Sequence, residues 1–168
     1  MSTLNISSPS AAFSRGQDRH RQLWAGGTIF DIVLAGAQTG GTLALLDQTG
    51  RRGDTTPLHV HREEAEIFYV LDGRIAAWHG DEVEELTVGD AVYLPAAEPH
   101  ALGVLTDTAR IVTITAPAGF ADFVRAAGMD ADRSAPISWE FDIDRITQAA
   151  PRHGIDIIGP PPALPIAT

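Results

Sequence analysis

Four side chains in the middle of the chain are spaced so that they could share one metal ion: His59, His61, Glu66 and His100. The first three stand in Pro57-Leu58-His59-Val60-His61-Arg62-Glu63-Glu64-Ala65-Glu66, and His100 follows Leu94-Pro95-Ala96-Ala97-Glu98-Pro99. Side chains two apart on a strand share a face, so His59 and His61 can aim at one point. Glu66 lies five residues past His61, which on an unbroken strand would put it on the opposite face. The polar segment from Arg62 to Ala65 reads as a turn, after which a new strand can begin at Glu66 beside the histidines. Three neutral imidazoles and one carboxylate suit Fe, Mn, Ni, Co, Cu or Zn, and the donor set does not choose among them. An octahedral ion on these four would keep two positions for a substrate or O2. Each residue alone has a plainer reading. His-x-His arises by chance, Glu66 could be a solvated carboxylate, and His100 could be a satisfied loop histidine.

The elements that must position these residues are short and β-rich. Extended runs are predicted at 28–34, 42–47, 56–60, 66–71, 74–78, 82–88, 91–94, 101–105 and 110–115, separated by turn formers such as Asp72-Gly73, Gly80-Asp81 and Gly89-Asp90. Many short strands with regular punctuation suggest an antiparallel sandwich or barrel. After Pro117 the period becomes helical: Phe120, Phe123, Val124 and Ala127 fall on one face, with Gly128 as a stop. A second helix is expected from about Asp142, carrying Ile143, Ile146 and Ala150, followed by a Pro-rich tail from Gly159. A single domain is expected, with a flexible arm at 1–22, a barrel at 23–116 and a helical extension with the tail at 117–168. In 66–71 both faces are substantially apolar, so one should face the interior and the other the C-terminal helices or a second subunit.

Composition narrows the function. The net charge of −10 comes without any Lys/Arg cluster, so nucleic acid is not an expected partner. With no cysteine, thiol nucleophiles, disulfides and thiolate metal sites are excluded. The first 14 residues lack a basic start and apolar block, and no apolar run reaches the roughly 18–20 residues of a membrane span. A cytoplasmic protein is expected, with no membrane partner.

The glycines and prolines around the four residues carry a family resemblance. Gly53, five residues, His59-x-His61, four residues, Glu66, six residues and Gly73 match the first motif of the cupin superfamily throughout. Gly89, Pro95 and His100 match the second, and the 15 residues from Arg74 to Val88 give a short spacing between them. Two departures stand out: Ala97 replaces a motif glycine, and Val104 stands where an asparagine is common. The resemblance implies an all-β, antiparallel double-stranded β-helix (a jelly-roll barrel) with a short C-terminal helical extension. It also implies one divalent transition metal on His59, His61, Glu66 and His100. The phrase from Pro57 to Gly73, with Thr108-Ala109-Arg110 and Pro117-Ala118-Gly119-Phe120, looks like the small quercetin-dioxygenase-like cupins. That likeness implies O2-dependent cleavage of a flavonol-like or enediol small molecule, with Glu66 as both ligand and base; from the two apolar faces of 66–71, a homodimer is expected. A metal-dependent isomerase or cyclase, and a non-catalytic small-molecule binder, are the alternatives.

Around the metal residues, Phe68 shares a face with Glu66, and Leu102 and Val104 share parity with His100, so these are pocket candidates. Phe68 could equally be barrel core. Trp78 could line the pocket or fill the core, since parity alone leaves both open. Phe120 and Phe123 could close the barrel mouth or simply pack a helix on it. His79 at a hairpin turn, and His20 and His153, are expected at the surface.

Overall fold

Alternation along the strands sets the architecture. The computed structural model describes residues 20–23, 28–130 and 143–165. The strands are β1 (His20–Leu23), β2 (Ile29–Leu34), β3 (Ala44–Arg51), β4 (Leu58–His61), β5 (Ala65–Asp72) and β6 (Arg74–His79). They continue with β7 (Glu82–Thr87), β8 (Ala91–Leu94), β9 (His100–Val104), β10 (Thr108–Ala116), β11 (Met129–Asp130) and β12 (Ile155–Gly159). Helices α1 (Gly36–Thr39), α2 (Phe120–Ala127) and α3 (Ile143–Ala149) complete the set, with a 3-10 turn at Ala150–His153.

The strands form two antiparallel sheets, ordered β11-β1-β2-β3-β10-β5-β8 and β12-β4-β9-β6-β7. This is the all-β jelly-roll barrel expected from the sequence, with a short C-terminal helical extension. Glu66, Phe68 and Val70 on β5 pair with Thr115, Thr113 and Ile111 on β10, and all six are buried in the interior. Their neighbours Ile67, Tyr69 and Leu71 point outward, and Tyr69 and Leu71 are 41% and 37% exposed. The C-terminal helices therefore do not cover this outer face. They pack instead over the open end of the barrel, where Phe120, Phe123, Val124, Ile146 and Ala149 join Phe30, Ile32 and Leu46 in one apolar cluster. Burying such side chains yields about 25 cal/mol per Å² of apolar surface, which is what fixes the helices there.

Several expectations need revision. The arm boundary at residue 22 falls inside β1, whose backbone pairs with β2 and β11, and the rest of the arm lies outside the described residues. The expected start of α3 near Asp142 also lies outside them. β3 runs on to Arg51, and a strand missed in the sequence, β12, pairs with β4. Ile155 and Ile157 on β12 oppose His61 and His59, so this strand, just before the expected Pro-rich tail, builds a wall of the site.

Among the described residues, no helix is long and apolar enough to cross a membrane.

Candidate metal centre

Three strands and one change of sheet bring the four residues together. His59 and His61 sit on β4, His100 on β9 directly opposite His59, and Glu66 on β5. Because β4 and β5 belong to different sheets, residues 62–64 carry the chain across the barrel. Glu66 therefore faces the histidines from the opposing wall instead of standing beside them in one hairpin, which corrects the sequence expectation. The odd separation from His61 ceases to matter once the strand is broken and changes sheet.

One ligand atom from each of the four lies within 4.8 Å of the others. His61, Glu66 and His100 are 1–2% exposed, while His59 is partly open to a cavity. Each imidazole is held through Nδ1. His59 Nδ1 is 2.8 Å from the Pro57 carbonyl, His100 Nδ1 is 2.9 Å from the Glu98 carbonyl, and His61 Nδ1 is 3.4 Å from Glu64 Oε2. A ring that donates from Nδ1 presents the lone pair of Nε2, the form a metal takes. His61 Nε2 is buried with no hydrogen-bond partner, although buried polar atoms are nearly always satisfied. That orphan, with a donor set of three imidazoles and one carboxylate, fits a divalent transition ion.

The electrostatics agree. Burial first, then the charges of His100 and His61, pushes His59 down to about 3. Burial alone would raise the Glu66 carboxyl. The hydrogen bond from His100 Nε2 at 3.2 Å and the charges of the three histidines outweigh it and hold Glu66 below its ordinary value. Burial likewise works against a charge on His100, but Glu66 prevails and raises it.

The centre opens on a cavity of about 220 Å³ lined by His59 and Glu66. Phe68, Leu102, Val104, Phe120 and Phe123 line it too, so α2 serves both as packing and as roof. Trp78 does not. It opposes Ala101 on β9, one residue out of phase with His100, and its ring meets the site of Gly103 together with Leu164. Trp78 therefore lies on the outer face under the tail, and the pocket expectation for it is corrected. His79 is half-buried, with Nε2 3.8 Å from Glu84 Oε1, and His153 packs near Phe123 with ring centroids 6.1 Å apart. Ile146, Ile155, Ile157, Gln48 and Asp54 also line the cavity and were not anticipated, because each comes from an element whose place over the barrel only the fold decides.

Comparison with known proteins gives the family context. Residues 49–115 match the family model described as Cupin domain. Quercetin 2,3-dioxygenase of Bacillus subtilis (strain 168) is 28% identical over 128 residues, 74% of this chain and 38% of the relative. The chain thus spans about two fifths of that relative's length. Among solved structures, KdgF from Halomonas sp. has a TM-score of 0.58 at 21% identity, covering 64% of this chain and 94% of that one. An RmlC-like cupin from Shewanella frigidimarina NCIMB 400 has a TM-score of 0.56 at 21% identity, covering 65% and 93%. At such identities these structures speak for the fold.

Proposed function

The chain carries a cupin domain, and from that premise we propose that it is a metal-dependent dioxygenase acting on a small aromatic, flavonol-like or enediol molecule. The observation that carries this reading is a buried cluster of three histidines and one glutamate, its ligand atoms within 4.8 Å of one another, at the wall of an apolar cavity. A cavity of about 220 Å³ is small beside the roughly 300–1,000 Å³ of drug-sized sites, which favours a compact ring system. The likeness to the Bacillus quercetin 2,3-dioxygenase supports the same choice.

His59, His61, Glu66 and His100 would hold the ion. A divalent transition metal would supply Lewis acidity and redox exchange with O2 there. Glu66 faces both the cluster and the cavity and is held in its carboxylate form, so it is the group able to take a proton from a phenolic or enolic hydroxyl. Phe68, Phe120 and Phe123 supply flat apolar walls for the ring and exclude water. The reading carries with it a cytoplasmic homodimer, in which a second copy covers the half-exposed outer face of β5.

The test is oxygen uptake by protein loaded separately with Fe, Mn, Co, Ni, Cu or Zn, offered flavonols and smaller enediols. O2 consumption coupled to loss of substrate absorbance is expected with at least one ion. Turnover that continues undiminished without O2 would move the reading to an isomerase or cyclase, and no turnover with any ion to a non-catalytic binder.

A further inference from the structure

We propose that Glu64 is a positioning residue that joins the metal ligand His61 to the helix roofing the cavity. The inference rests on the metal reading above. Glu64 sits in the 62–64 crossing between the sheets and is only 7% exposed. A buried carboxylate is costly unless its oxygens are partnered. Here the two oxygens take two partners. Oε2 lies 3.4 Å from His61 Nδ1, and Oε1 accepts the Phe120 backbone N–H at 2.8 Å.

The arrangement is particular to His61. His59 and His100 rest on backbone carbonyls two residues earlier, which no side-chain substitution removes. Of the three, only His61 has its Nδ1 held by a side chain, and its Nε2 has no hydrogen-bond partner. The roof end is equally specific. Phe120 opens α2, whose N-cap residue, Gly119, offers no side-chain cap, so the Glu64 carboxylate does that work from outside the helix. A Cβ on Gly119 would lie 3.1 Å from Glu64 Oε1, showing how closely the helix start sits on the carboxylate. The Phe120 ring in turn lies 5.5 Å from the His61 ring. One carboxylate thus selects the His61 tautomer and fixes the position of the cavity roof.

Glu64→Gln separates these roles. The amide oxygen can still accept the Phe120 N–H, so the roof stays anchored. The amide N–H then faces His61 Nδ1, which must become the acceptor, and the ring proton moves to Nε2, where the ion would bind. We expect Glu64→Gln to keep the wild-type Tm while Co2+ or Zn2+ affinity, measured by competition with a chromophoric chelator, falls 10–100-fold. In metal-free protein, nitrogen NMR should show His61 protonated on Nδ1 in the wild type and on Nε2 in the variant. Glu64→Ala should lose both stability and affinity. A purely helix-capping Glu64 would leave affinity and tautomer unchanged in Glu64→Gln, and that result overturns the proposal. If the wild type took up no ion, the metal reading would fall, and the tautomers of the metal-free proteins would still decide the role of Glu64.

Discussion

His59 and His100 stand directly opposite each other where β4 meets β9, with ring centroids 4.4 Å apart. Two imidazoles so close in a buried site cannot both be charged cheaply. In the metal-free protein the two rings differ accordingly. His100 gives its proton to the hydrogen bond with Glu66, while His59 stays neutral.

That division sets a pH dependence for the metal-free protein. His59 falls from its ordinary 6.5 to about 3, so below pH 6.5 the unfolded chain takes a proton that the folded chain refuses. Stability therefore declines as pH falls from 6.5 toward 3. Glu66, held low, acts with the same sign: its contribution is present above its ordinary 4.5 and lost as pH falls through its folded value. His100 acts oppositely, stabilising below its ordinary 6.5 and losing this as pH rises through its raised value. Urea midpoints taken from pH 8 to 4 in EDTA should fall toward acid, and His59→Gln should flatten that fall. Equal slopes in the two proteins would contradict the assignment.

Metal should stabilise the fold through the same residues. An ion that binds only the folded state at 100 times its Kd adds about 2.7 kcal/mol. Thermal scans with and without Mn2+, Co2+ or Ni2+ should show a raised Tm for the wild type and no rise for His100→Ala.

Much of this centre was legible because the motif residues answer to local geometry. Gly73 has a φ of +74°, and a Cβ there would collide with the Thr108 carbonyl and lie 2.6 Å from Thr106 Oγ1, so no other residue fits the β5–β6 turn. Strand parity alone puts His59 and His61 on one face, and the spaced glycines and His100 mark that face as the site. What the sequence did not reveal depends on which elements meet across the barrel. Trp78 could not be assigned a face without knowing that it opposes Ala101. Glu64 read as one polar residue in a turn, though its spacing of three from His61 is compatible with a second partner on that ring. Ile155 and Ile157 alternate as a strand should, but a short run between a helix and the Pro-rich tail from Gly159 gives no sign of the sheet it joins.

Phe120 tests the roof. It is buried, meets Phe30 edge-on with centroids 6.2 Å apart, and bounds the cavity. Phe→Ala in a core costs about 3–5 kcal/mol, and a ring that already borders a void belongs at the lower end. Phe120→Ala should cost about 3 kcal/mol in urea unfolding while retaining metal, because its backbone N–H to Glu64 survives. Loss below about 1 kcal/mol would show that the roof is not packed as described.

Ala97 offers the opposite kind of test, a substitution expected to improve the protein. It stands where the cupin motif carries glycine, and its φ of +64° lies in the left-handed region, the sole non-glycine there among the described residues. The conformation is held because the Ala97 N–H donates to the His61 carbonyl at 2.7 Å, tying the loop before His100 to the strand of His61. A Cβ in this region costs roughly 1–2 kcal/mol. Glycine removes that strain but adds chain entropy to the unfolded state, worth roughly 0.5–1 kcal/mol. The side chain is exposed, so its removal leaves no cavity. Ala97→Gly should therefore stabilise by about 0.5–1 kcal/mol, read as a higher urea midpoint at an unchanged m-value. Metal affinity should stay within about twofold, because the N–H bond to His61 is kept. A lower midpoint would mean that the loop relaxes to a conformation alanine tolerates, and that the tie to His61 is weaker than its distance indicates.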